Sequence, residues 1–270
     1  MRCPTTRYAL RATTPLVALL LLAGTAATPS RAAIATRPVE YRAGEITMIG
    51  YLAYDDAKTG QRPGVLVVHD WIGLGDFAKK KAQELAELGY VALAVDMYGG
   101  GLVAADQEEA ARLAGALKGN RTEMRVRVRA ALEALAKQPQ VAPGKLAAIG
   151  FCFGGTTVLE LARSGAPVAG VVSFHGGLAT PDPADAKNIK GKVLVLHGAD
   201  DPLVPPPEVS AFEEEMRRAK VDWQLVAYGG AVHSFTNPKA GTDPSRGAAY
   251  NEPAAKRSWR AMKDFFVEIF

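Results

Sequence analysis

Three side chains, Cys152, Asp201 and His233, stand in local patterns that suit nucleophilic acyl chemistry. Cys152 sits in Gly150-Phe151-Cys152-Phe153-Gly154-Gly155, between an apolar run at 146–149 and a helical periodicity at 155–163. A small-x-nucleophile-x-small turn between strand and helix strains the nucleophile's backbone, and the flanking glycines leave it room. The turn also puts the thiol at a helix N-terminus, where the dipole favours a thiolate and free N–H groups can bind an oxyanion. Asp201 belongs to His197-Gly198-Ala199-Asp200-Asp201-Pro202-Leu203-Val204-Pro205; the neighbouring Asp200 is expected to cap the loop or the next helix instead. His233, in Gly229-Gly230-Ala231-Val232-His233-Ser234-Phe235, follows the last apolar run. The chain order nucleophile, acid, histidine is one in which the acid fixes the imidazole tautomer and the imidazole handles the protons.

The run at 65–68 ends in His69-Asp70-Trp71-Ile72-Gly73. A loop at that place supplies a second oxyanion donor, here the Trp71 N–H beside that of Phe153. Asp70 is either a surface cap or an acid at the mouth of the site. His69, His175 and His197 also follow apolar strands, and structural roles are expected for each. No pair of them has metal-ligand spacing, so no metal is expected.

These residues need a scaffold that brings distant strand ends together. Short apolar runs at 65–68, 91–95, 146–149, 168–174, 193–196 and 223–227 read as strands buried on both faces. Helical periodicity falls between them at 76–88, 106–118, 122–137, 155–163, 206–218 and 253–268, with an opening antiparallel hairpin over 39–54. The alternation predicts a three-layer α/β sandwich with a mostly parallel sheet, whose functional groups collect at the carboxyl ends of the strands.

The first 33 residues read differently. Arg2, Arg7 and Arg11 precede an apolar run at 16–23 and then small residues, which is the order of a cleavable secretory signal. The run is too short to span a bilayer, so no stable membrane anchor is expected after cleavage. The segment carries four arginines and no acid, and its removal takes the formal net charge from +4 to zero. The rest, 34–270, is expected to be one exported domain with no nucleic-acid surface, since that needs clustered excess Lys and Arg. It keeps Cys152 as its sole cysteine.

Gly-Phe-Cys-x-Gly-Gly around Cys152, the Asp201 frame and Gly-x-x-His-Ser-Phe around His233 together resemble the dienelactone hydrolase family, from about Val65 to Phe270. The resemblance implies an α/β-hydrolase fold and a Cys-His-Asp triad that opens small lactones or esters through a thioester, with no cofactor. It gives Asp70, where the family carries glutamate, a role in gating the thiol. It also implies a substrate pocket near Tyr98, Ser234 and Asn237. Two arginines that grip a substrate carboxylate in dienelactone-cleaving members are replaced here by Gly100 and Asn237, neither of which can form a bidentate fork. Dienelactone itself is therefore expected to be a poor substrate, unless Arg246 reaches in. A small ester or lactone is the expected partner of a monomeric enzyme. The alternatives are an acyltransferase on the same triad, or a thiol-based redox or ligand-binding protein using Cys152.

Overall fold

The computed structural model describes residues 1–6, 9–10 and 33–270. The expected signal segment, with its apolar run and cleavage sites, lies outside the described residues except for those short stretches. Among the described residues no helix is long and apolar enough to cross a membrane.

Residues 33–270 build an eight-stranded sheet in the order β1-β2-β4-β3-β5-β6-β7-β8. The strands are β1 (Ile34–Ala43), β2 (Ile46–Asp55), β3 (Arg62–Val68), β4 (Val91–Val95), β5 (Val141–Phe151), β6 (Gly170–Phe174), β7 (Lys192–Gly198) and β8 (Trp223–Tyr228). β1 and β2 form the expected hairpin, starting five residues earlier than the alternation suggested; β2 pairs antiparallel with β4, and all later pairings are parallel. Central strands such as β3 bury residues on both faces. Leu66 and Val68 join one core, while Val65 and Val67 join the other.

Among the described residues six α-helices cover the two faces. α1 (Asp76–Glu87) and α6 (Glu252–Ile269) pack on one side. α2 (Gln107–Gly119), α3 (Arg121–Ala136), α4 (Phe153–Arg163) and α5 (Pro206–Ala219) pack on the other. The result is the three-layer sandwich that the alternation predicts. α4 is the exception to ordinary amphipathic logic, because all eleven of its residues are buried. Its two charged groups are neutralised internally. Arg163 pairs with Glu160 at 3.1 Å and Glu215 at 2.7 Å, and Arg125 from α3 joins Glu160 to Asp185 at 2.7 and 2.6 Å. This closed ion network lets a polar segment lie under other helices, which an unpaired buried charge would not permit. It fixes the helix whose first turn carries Cys152.

Candidate active site

β5 ends at Phe151 and α4 begins at Phe153, so the chain reverses in the single residue Cys152, at φ 54° and ψ −114°. Positive φ is costly for a side-chain-bearing residue, and it persists here because the surroundings fix it. A Cβ on Gly150 would lie 2.0 Å from the Gly154 carbonyl oxygen, and one on Gly154 would lie 2.3 Å from that of Val68. The glycines of the motif are therefore there for close backbone approach, between elbow and helix and between helix and β3. The Cys152 N–H donates to the Phe174 carbonyl at 3.0 Å, tying the elbow to β6.

Three strand ends meet at this point. His233 Nε2 lies 3.0 Å from Cys152 Sγ, and His233 Nδ1 lies 2.8 Å from Asp201 Oδ2. The other carboxylate oxygen of Asp201 accepts the Leu203 N–H at 2.8 Å, which fixes the acid in its turn. Asp200 instead accepts the Gly230 N–H at 3.0 Å, pinning the turn that leads to His233. The His233 backbone is clamped on both sides, donating to the Gly247 carbonyl and accepting from Ala249 N–H. Burial opposes charge on the imidazole, but its hydrogen bonds to Asp201 and Cys152, and their charges, outweigh burial. The His233 pKa is pushed up to about 10.

Around this chain of three, the remaining expected residues divide. The Trp71 and Phe153 N–H groups are spent on no acceptor among the described residues. Asp70, Trp71, Ser234 and Asn237 line a cavity of about 690 Å³ beside the site, with Val103 and Arg246. Arg246 thus reaches the cavity from its own loop. Tyr98 is buried, and its hydroxyl donates to the Trp71 carbonyl at 2.8 Å; like Cys152 and His233, it is not among the residues that line this cavity. It props the Trp71 loop. Asp70 stays within its own surroundings, accepting from Ile72 N–H at 2.9 Å and from the Asn237 amide at 3.4 Å. Among the described residues it makes no hydrogen bond to Cys152, as suits a side chain one methylene shorter than glutamate. Gly100 has a φ of 63° and open space around its Cα.

One buried group is not legible as a site residue. Asp96, fully buried at the end of β4, accepts four backbone N–H groups, from Ile49, Tyr98, Gly99 and Gly101, at 2.7–3.0 Å. It fixes the glycine turn after Tyr98, and hence Tyr98 itself. An acid just after an apolar strand was the available signal. His69 accepts the Met97 N–H at Nε2, 3.3 Å away, and faces the Asp70 carbonyl through Nδ1 at 2.5 Å, so it is a neutral strut between β3 and β4. His197 is buried at the end of β7, and burial lowers its pKa. Among the described residues no cluster of three or more His, Cys, Asp or Glu is placed to hold a metal.

A mostly parallel eight-stranded sheet with a strained strand–helix turn after β5, an acid after β7 and a histidine after β8 defines an α/β-hydrolase. The sequence profile of the dienelactone hydrolase family matches residues 48–270, and the chain belongs to that family. It is accordingly a hydrolase of the lactone and ester type. Among solved structures it is similar to a dienelactone hydrolase-like promiscuous phosphotriesterase, P91, from metagenomic libraries. The identity is 48%, with 88% of this chain and 99% of that one covered and a TM-score of 0.85. It is equally similar to the structure named m3DLH, at 46% identity, the same coverage and a TM-score of 0.85. A putative carboxymethylenebutenolidase of Synechocystis sp. is 26% identical over 82% of this chain and 92% of its own length.

Proposed function

We propose that this protein cleaves small carboxylic esters or lactones through Cys152, His233 and Asp201, by way of a thioester acyl-enzyme. The observation that carries the reading is the unbroken chain from Sγ through the imidazole to the carboxylate, at 3.0 and 2.8 Å. The hydrogen bonds to Asp201 and Cys152 push the His233 pKa up to about 10, so the imidazole is the base placed to take the proton from sulfur. The sulfur then attacks the substrate carbonyl carbon, and the oxygen takes up negative charge toward the N–H groups of Trp71 and Phe153. Each such donor contributes roughly 2.7–4 kcal/mol to the transition state. Collapse breaks the carbon–oxygen bond, and the leaving alkoxide takes the proton from His233. Neutral His233 next removes a proton from water, whose oxygen attacks the thioester carbon. The thiolate leaves, the acid product departs, and the imidazolium–thiolate pair is restored.

Asp70, Ser234 and Asn237 form the substrate side of this site in the cavity they share. Positions 100 and 237 carry no arginine, so a substrate carboxylate such as that of dienelactone would depend on Arg246 at the cavity wall, whereas a neutral ester needs no such grip. The enzyme is exported by cleavage of residues 1–33 and acts as a monomer without a cofactor. A second reading, cleavage of phosphotriesters by the same thiolate, rests on the 48% identity to the phosphotriesterase. The deciding experiment incubates residues 34–270 with a panel of p-nitrophenyl esters, small lactones and an aryl phosphotriester, then measures the intact mass. A transient acyl adduct on Cys152, and loss of ester turnover in Cys152→Ala, are expected. Ester turnover with an unmodified thiol, or undiminished in Cys152→Ala, refutes the covalent route.

A further inference from the structure

His175 does no work in the reaction just described, yet it is the group most closely enclosed by its parts. It follows directly on β6, is 2% exposed and holds a φ of 39°, a left-handed conformation that a histidine adopts only under constraint. Its backbone N–H donates to the Leu196 carbonyl of β7 at 2.9 Å, which turns the side chain back beneath the elbow. There Nδ1 accepts the backbone N–H of Cys152 at 3.2 Å, sharing it with the Phe174 carbonyl at 3.0 Å. The opposite nitrogen, Nε2, lies 2.7 Å from Thr236 Oγ1, three residues beyond His233. The ring also meets His233 edge-on, with centroids 5.4 Å apart, and Phe235 at 5.0 Å.

These contacts specify the proton inventory of the ring. A nitrogen that accepts an N–H carries no proton, so Nδ1 is bare and Nε2–H donates to the threonine hydroxyl. We infer that His175 is a positioning residue: a permanently neutral imidazole that couples the backbone of the nucleophile to the loop bearing the catalytic histidine, and so holds Sγ and His233 Nε2 at bonding distance. Neutrality has a physical basis, because burial and the neighbouring His233 charge both drive the His175 pKa well below its ordinary value. A cationic ring there would confront the Cys152 N–H with a second donor and the imidazolium with a like charge. Cys152 and His233 lie on different strand ends, 81 residues apart, and no side-chain bond other than their own joins them directly. The His175–Thr236 bridge is a second, independent tie between the same two segments.

The inference rests on the Cys152–His233 mechanism proposed above, and the test separates the two. Thr236→Val, nearly isosteric, removes the acceptor for Nε2–H, while Thr236→Ser restores it. His175→Asn tolerates the positive φ but is too short to span from the elbow to Thr236, and it serves as the second variant. Full-length ester kinetics and the rate of Cys152 alkylation by iodoacetamide are measured for each, with thermal melts to confirm folding. Thr236→Val and His175→Asn are expected to lose roughly 10–100-fold in kcat with KM nearly unchanged, the cost of a small misplacement of reacting groups. Alkylation should slow in parallel, and Thr236→Ser should recover both. Folded variants with wild-type kcat and alkylation, alongside inactive Cys152→Ala, overturn the inference alone. Undiminished turnover in Cys152→Ala overturns the mechanism and the inference with it.

Discussion

At the scale of single residues, the site separates groups that react from groups that hold them. Asp201 is bound to Leu203 N–H through one oxygen and to His233 through the other, so it presents a fixed acceptor to Nδ1. Replacing it by Asn can turn a donor toward Nδ1 and favour the tautomer with its proton on Nε2, facing sulfur. Asp201→Asn is therefore expected to lower kcat by about 10³–10⁴-fold, the scale seen when a triad tautomer is misdirected. A pH effect follows with a definite sign. If the imidazolium must protonate the leaving group, activity is present below the His233 pKa and lost as the pH rises through about 10. Removing the carboxylate withdraws one of the two interactions that raise this pKa, so residual activity in Asp201→Asn should fall off at lower pH. A kcat/KM profile against pH with an unmoved alkaline limb would contradict the assignment.

At the scale of elements, the elbow depends on a helix that has no solvent face. α4 can be buried all round only because Arg163, Glu160, Glu215 and Arg125 satisfy one another. Arg163→Ala leaves Glu215 without a partner in the interior and Glu160 with Arg125 alone. The expected loss is about 3–5 kcal/mol of stability, seen as a lowered urea midpoint with an unchanged slope. A midpoint near wild type would show that the network carries little of the helix's stability. The same element marks how far the sequence could be read. The start of α4 was legible because glycine spacing, an apolar strand and a helical period are local signals. The partners of Arg163 come from α5 and from within α4, up to 52 residues away, and nothing in a charge's own neighbourhood announces that it will be paired and buried. Asp96 and Tyr98 show the same limit. Their types were visible, but that Tyr98 turns to the Trp71 carbonyl rather than to the cavity depends on the glycine turn that Asp96 folds. The strands themselves read well because continuous apolar runs admit few alternatives to a doubly covered sheet. β1 reads short in the sequence, since its early residues are largely exposed and carry little hydrophobic pattern.

At the scale of the whole molecule, residues 33–270 belong to one compact unit, and the sheet's first ladder begins at Ile34 opposite Asp55. An enzyme starting at residue 34 would therefore retain every strand pairing and both cores. It would forgo one backbone hydrogen bond, from Asp56 N–H to the Ala33 carbonyl at 3.3 Å. The formal charge would fall from +4 to zero with the four arginines of residues 1–33. Such a protein should melt within a few degrees of the full chain, since one solvent-near hydrogen bond contributes about 0.5–1.5 kcal/mol. Its kcat and KM for a neutral ester should match those of the full chain, because every site element lies beyond residue 68. Starting at residue 44 instead removes β1 entirely. That strips ten paired residues from β2 and uncovers the core side chains Val39 and Tyr41 cover, including Met48 and Leu52. Tyr41 also exchanges hydrogen bonds with the backbone of Asp96, so its loss loosens the turn that carries Tyr98 and, through it, Trp71. The shorter protein should lose both its cooperative melt and its esterase activity. Equal melting of the two truncations would mean that the hairpin is an appendage, and that the Trp71 loop is held by something other than this relay from the sheet's edge.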